Sequence, residues 1–224
     1  MKKALAVIAM LSLFCVAYNQ DGNLKKQTYI RFGFSMPSWK YFGYDDKSYW
    51  PDDETKRTGL VFETGSIFML NSIKLAPGMR LGINADFLSV AYNRFNSESP
   101  LGTYSDNFWY IGSKLGPSFS YSPVKRLVFD AYFKFNPVWV AADFAREYDD
   151  NEIYLGFLGI KYSVGLNVRY SILMLGMEFN PGFAKIRWFD QDEKELTHVY
   201  LSNVNDNSKK TPVPSMNFTI GLSF

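Results

Sequence analysis

Cysteine, histidine and long apolar runs are nearly missing from this 224-residue chain, and neither sign of charge dominates it. The single cysteine, Cys15, permits no intramolecular disulfide. The single histidine, His198, rules out a histidine-cluster metal centre and leaves one imidazole for acid–base chemistry. Mean hydropathy is -0.15, and past the first seventeen residues nothing approaches the roughly 20 consecutive apolar residues of a membrane helix. The 24 basic and 22 acidic residues almost cancel, so a nucleic-acid-binding role has no electrostatic support.

What is present begins with an address. Met1, Lys2 and Lys3 precede an apolar stretch over 4–17 that closes on Cys15, Val16 and Ala17, the form of a secretory signal peptide. Residues 1–17 are expected to be removed, with cleavage as late as 20, leaving 18–224 as one β-barrel domain. Phe14 is too large for the lipoprotein processing site that Cys15 would otherwise suggest. Removal takes away the only thiol, and the loss of Lys2 and Lys3 makes the charge balance even.

Aromatic residues are plentiful, at 18% of the chain, and they alternate with polar ones. Period-two patterning predicts strands near 27–36, 59–70, 78–92, 107–121, 126–140, 154–170, 172–188 and 214–224. The connections alternate between long (37–58, 93–106, 141–153, 189–213) and short (71–77, 122–125, about 170–172). An even number of strands with this asymmetry predicts an all-β, eight-stranded antiparallel up-and-down transmembrane β-barrel with long extracellular loops and short periplasmic turns. Three prolines, Pro117, Pro137 and Pro181, fall inside these strands and each removes a ladder donor. A bulge is expected at Asn180-Pro181-Gly182, which would bring Trp188 to the outer aromatic girdle.

Strand parity assigns the faces. Sets such as Ile30, Phe32, Phe34 and Met36, or Leu173, Leu175, Met177 and Phe179, should meet lipid. So should Leu81, Ile83, Ala85 and Phe87. Tyr121 and Tyr170 should mark one membrane interface, and Trp109 and Trp139 the other. The opposite parity gathers Arg31, Glu63, Arg80, Asp86, Lys114, Asp130, Lys134, Lys161, Arg169 and Glu178, which should line the lumen with a formal excess of two positive charges. Eight strands enclose a space that side chains can fill, so a plugged polar lumen is expected, with a narrow channel as the alternative.

The chain ends Phe218-Thr219-Ile220-Gly221-Leu222-Ser223-Phe224, with Phe218, Ile220, Leu222 and Phe224 on one face. This ending, the leader, the eight alternating strands and their connections resemble the small bacterial outer-membrane β-barrel proteins grouped with the OmpA membrane domain and OmpX, particularly Bacteroidetes-type members. The resemblance covers essentially the whole mature chain. It implies residence in the bacterial outer membrane, contact with its lipid and lipopolysaccharide, and recognition of the four terminal apolar residues as an assembly signal by the barrel-assembly machinery.

Chemistry-bearing motifs are sparse. His198 lies near Glu193, Glu195, Ser202 and Asp206, but a loop is a poor platform for a preorganised triad, so no catalytic residues are assigned. Carboxylates at Asp45-Asp46, Asp52-Asp53-Glu54, Asp149-Asp150 and Glu152 lack the spacing of a calcium loop, and neither a metal nor a cofactor is expected. The first long connection, by contrast, concentrates Trp39, Tyr41, Phe42, Tyr44, Tyr49 and Trp50, a composition enriched at recognition surfaces. It is the candidate surface for an extracellular ligand or an outer-membrane protein partner. The expected role is therefore structural or surface-interacting; a small-solute channel, an accessory subunit of an outer-membrane complex and a lipid-modifying enzyme are the alternatives.

Overall fold

A computed structural model describes residues 24, 26–37, 56–99, 102–146, 149–187 and 210–224. The strands are β1 (Gln27–Pro37), β2 (Lys56–Lys74), β3 (Met79–Ser99), β4 (Gly102–Val124), β5 (Leu127–Arg146), β6 (Asp149–Tyr170), β7 (Leu173–Asn180), β8 (Gly182–Arg187), β9 (Lys210–Pro212) and β10 (Ser215–Ser223). β7 and β8 both lie along β6, and β9 and β10 lie along β8 and β7, so these four segments form two staves. The result is a closed eight-stranded antiparallel barrel.

Closure is made by the chain ends. β1 pairs with β10 from Tyr29↔Ser223 to Pro37↔Ser215. The Thr28 amide donates to the Phe224 carbonyl at 2.7 Å, and the Phe224 amide donates back at 2.8 Å. No sheet edge is left between first and last staves, the condition for burying a sheet in lipid.

The outward side chains form an apolar belt. Phe32, Phe34 and Leu175 keep 60%, 64% and 55% of their surface exposed, a cost that water would exact all around the barrel and lipid does not. Among the residues whose side chains are described, charges on the outer face are confined to its two ends: Lys26, Lys125 and Arg126 at the short-turn end, Arg94 at the other. Tyr121 and Tyr170 are exposed beside the short turns, while Trp109 and Trp139 are exposed farther up, Trp109 packing on Tyr92 with ring centroids 4.7 Å apart. Ala85 departs from the expected belt and is buried; its methyl group lies below the profile of larger neighbours such as Leu115, its partner on β4.

Two expected long loops are strands instead. β3 and β4 stay paired out to Ser99↔Gly102, and β5 and β6 to Arg146↔Asp149. A membrane strand needs about 9–11 residues, whereas β4 has 23 and β6 has 22, so both hairpins continue as arms beyond the belt. Once both faces of a hairpin meet water the apolar alternation disappears, although the backbone ladder continues; this is why 93–106 and 141–153 read as loops.

One real bulge lies where none was expected. The β3–β4 register runs from Asp86↔Lys114 to Ser89↔Gly112, one extra residue on β3, and both Phe87 and Leu88 point outward. Asp86 and Ser89 thereby both reach the interior. At Pro181, conversely, the anticipated bulge is missing. The pairs Val164↔Phe179 and Lys161↔Gly182 share one register, so the chain passes straight through without a register change; Trp188 itself lies outside the described residues.

The remaining prolines act together. Pro117 keeps its pairing with Ile83 on β3, and Pro137 keeps its pairing with Ile160 on β6. The β4–β5 ladder skips from Gly112↔Val138 to Leu115↔Phe135 and then to Ser118↔Tyr132 without losing register. Both missing N–H groups therefore open the same seam. The Asn136 side chain lies in this gap, and with its amide oriented so that nitrogen faces acceptors it donates to the Pro137 and Ser113 carbonyls at 3.2 and 3.3 Å.

Candidate functional site

The barrel interior is layered. At the short-turn end Tyr29, Ile67 and Met174 form an apolar plug without solvent exposure, and Met69 packs against it. Next to it Arg169 grips Asp130 with two parallel bonds of 2.6 and 2.8 Å, and Ser120 donates to the same carboxylate at 2.5 Å. That ion pair is bidentate and self-contained.

The middle layer is a six-charge network. Arg31 Nε lies 2.6 Å from Glu63, and its terminal nitrogens lie 3.2 Å from Glu178 and 3.8 Å from Asp86. Lys114 bridges Glu63 and Glu178, and Lys134 contacts Asp86 at 2.7 Å. Tyr132 donates to Glu178 at 3.0 Å; Tyr29 donates its one hydroxyl proton to Asp86 and lies 2.7 Å from the Asn84 carbonyl oxygen. Arg31 further donates to Asn167 at 3.0 Å. Three cations meet three carboxylates, all nearly without solvent exposure; Ser89, Tyr29, Tyr132 and the Asn167 carbonyl oxygen add neutral hydrogen bonds, while the amide nitrogens of Asn84 and Asn167 are left without a partner. Charge pairing of this kind is what a buried cluster requires to persist.

The close fit depends on glycine at the strand backbones. A Cβ on Gly165 would run into the Tyr132 ring, and one on Gly176 would come 2.7 Å from Asn167 and 3.2 Å from Arg31.

Carboxylate oxygens of Glu63, Asp86 and Glu178 lie within 4.8 Å of one another, a spacing that a cation could bridge. Guanidinium and ammonium groups already occupy that space and balance the charge. A divalent ion would add two uncompensated positives to a closed interior, so the trio does not fit a metal.

Of the ten charged residues assigned to the lumen, Arg31, Glu63, Asp86, Lys114, Asp130, Lys134, Lys161, Arg169 and Glu178 are buried inside the barrel. Arg80 lies at the mouth by the short turns, half-buried, its guanidinium donating to the Met79 carbonyl at 2.8 Å. The deep interior therefore carries five basic and four acidic groups, an excess of one. Phe218 and Ile220 are exposed on the belt beside β1 and β7, while Leu222 and Phe224 are half-buried at its lower end. Trp39, Tyr41, Phe42, Tyr44, Tyr49 and Trp50 lie outside the described residues, as do His198 and the leader.

Tyr29, Tyr132, Asn84 and Asn167 belong to the network although sequence reasoning named only its charged members. Their signal was available: Tyr29 shares parity with Arg31, and Tyr132 lies two residues from both Asp130 and Lys134. Polar aromatics on an inward parity should have been read as lumen groups.

The chain matches no protein-family model and no curated protein. Among solved structures, Ail, the attachment invasion locus protein of Yersinia pestis, in complex with the heparin analogue sucrose octasulfate, superposes with a TM-score of 0.50 at 14% identity, over 89% of this chain and 99% of Ail. This protein has the fold of a small outer-membrane β-barrel. Two further outer-membrane proteins are similar at lower scores. The outer-membrane protease OmpT of Escherichia coli has a TM-score of 0.47 and 12% identity, over 92% of this chain and 99% of OmpT. Neisserial surface protein A gives 0.43 and 10%, over 88% and 95%. The barrel's place is the outer membrane, and its apolar belt fits the lipid there. The hairpin arms rise beyond the belt at the end opposite the short turns.

Proposed function

We propose that this outer-membrane barrel is a non-catalytic, non-conducting platform that presents its extended outer hairpins and first connection to a surface ligand or a protein partner. The observation that carries this reading is the lumen. A solute would have to pass the apolar plug and then break the balanced Arg31–Glu63–Glu178–Lys114 network, at several kcal/mol for each charge left unpaired. What remains for function is the outside, where β3–β4 and β5–β6 carry their paired backbone above the membrane. A backbone already paired lowers the ordering cost of binding. The solved complex of Ail with a heparin analogue is a case of a barrel of this fold holding a ligand.

Planar-bilayer recording from the folded, purified protein tests the reading. No steps above the leak are expected, and reproducible single-channel steps would replace it with a narrow channel. Isolation from native membranes in mild detergent, comparing the full chain with one whose arms are cut back to two-residue turns above Phe108 and Val140, tests the second half. The trimmed barrel should keep heat-modifiable mobility and lose its partner; equal recovery of that partner would place binding elsewhere.

A further inference from the structure

Above the charge network lies a small polar cavity, of about 20 Å³, bordered by Ser89, Tyr110, Lys161, Asn180, Ser215 and Asn217 among others. We propose that Lys161 and this cavity form a binding site for a single small monovalent anion of halide size.

Four observations converge on it. Lys161 is the one described interior cation whose ammonium has no carboxylate within ion-pair distance: Arg31, Lys114, Lys134 and Arg169 are all paired. It accounts for the single excess positive charge of the deep lumen. Its Nζ donates to Ser215 Oγ at 3.0 Å and lies 4.8 Å from the Tyr110 ring centre, which leaves two N–H groups and an unneutralised charge in a site only 6% exposed. A buried ammonium in that condition stays charged only with a counter-charge beside it and otherwise gives up its proton.

The walls supply further donors and no acid. No carboxylate borders the cavity, and Lys114, which does, is held by Glu63 and Glu178. Asn180 accepts from Ser163 at 2.5 Å through its carbonyl, so its amide nitrogen, buried and without a partner, is left to donate. The Asn217 oxygen, also buried without a partner, borders the same cavity as an acceptor. Size then selects the ligand. The space is close to the roughly 10–15 Å³ that one water-sized particle needs, enough for a chloride or bromide and too little for a phosphate or a sugar acid.

The test uses bromide as probe. Crystals of the folded full chain grown in sodium bromide, with diffraction recorded at the bromine absorption edge, should show an anomalous peak within hydrogen-bonding distance of Lys161 Nζ. In thermal denaturation at fixed ionic strength, with bromide exchanged for gluconate, each tenfold rise in bromide beyond saturation should raise the wild-type midpoint by about 3–6 °C. Lys161→Met and Lys161→Gln should fold, since each removes an uncompensated charge, and should show no bromide dependence. Absence of the peak, an equal bromide response in wild type and variants, or failure of both variants to fold would each overturn the proposal. A conductance result leaves it untouched, because an internal counter-ion and a conduit are separable.

Discussion

Replacing Glu178 by glutamine removes one charge from the middle of the lumen at almost constant volume. Glu178 faces Arg31 at 3.2 Å, Lys134 at 4.0 Å and Lys114 more closely. At an effective dielectric constant of about 20, a unit pair at 3.2 Å is worth roughly 5 kcal/mol and one at 4.0 Å about 4 kcal/mol. Against these lost attractions stand relief of the carboxylate's own desolvation and of its repulsion by Glu63 and Asp86. The net cost expected for breaking a buried cluster in this way is about 3–5 kcal/mol. Lys114→Met should cost a similar amount, because it strands Glu63 and Glu178 together. The double variant restores balance, with Arg31 and Lys134 facing Glu63 and Asp86. It should therefore be more stable than the sum of the single losses by at least about 2 kcal/mol. Urea unfolding of the barrel in lipid vesicles, followed by tryptophan fluorescence and by heat-modifiable mobility, gives all four corners of the cycle. Single costs below about 1 kcal/mol that add within about 0.5 kcal/mol would refute the reasoning, since they would mean that water already screens these charges and that the lumen is open.

Three other substitutions probe separate layers. Phe133→Arg places a charge in the middle of the outer belt and should cost about 2–4 kcal/mol in the same unfolding assay, whereas Phe133→Leu should cost under about 1.5 kcal/mol; equal effects would argue against lipid at that face. Gly165→Ala should destabilise by about 1–3 kcal/mol through collision with Tyr132. Combining it with Tyr132→Leu should reduce that increment, and a Gly165→Ala penalty unchanged by the second substitution would contradict the contact. Asn136→Leu takes away the amide that covers the proline-opened seam and should cost about 1–3 kcal/mol. Hydrogen exchange should quicken along β4 and β5 near Gly112 and Val138; unchanged exchange there would show that the seam does not depend on Asn136.

The sequence carried the barrel because membrane strands are read by a local rule. One face meets lipid and the other a polar interior, so the residues from Ile30 to Met36 declare strand, face and environment within a single stretch of chain. Eight such stretches and an alternating chain end were enough for the strand count and for which charges point inward. The rule fails where the environment on both faces is the same, which is why the outer arms read as loops. It also fails where the backbone compensates: the Phe87–Leu88 bulge inverts parity beyond it, and Pro181 interrupts the hydrogen bonding while leaving the register intact.

Which charge neutralises which was beyond any local reading. Arg31 and Glu178 are far apart in sequence and meet only because β1 closes on β10 and β10 lies on β7, which leaves their inward side chains one stave apart in a narrow lumen. Strand parity gave the lumen an excess of two positive charges; tertiary structure moved Arg80 to the mouth, paired four interior cations and left Lys161 facing a polar cavity. Alternation is a property of neighbours along the chain, and pairing across the lumen is a property of closure.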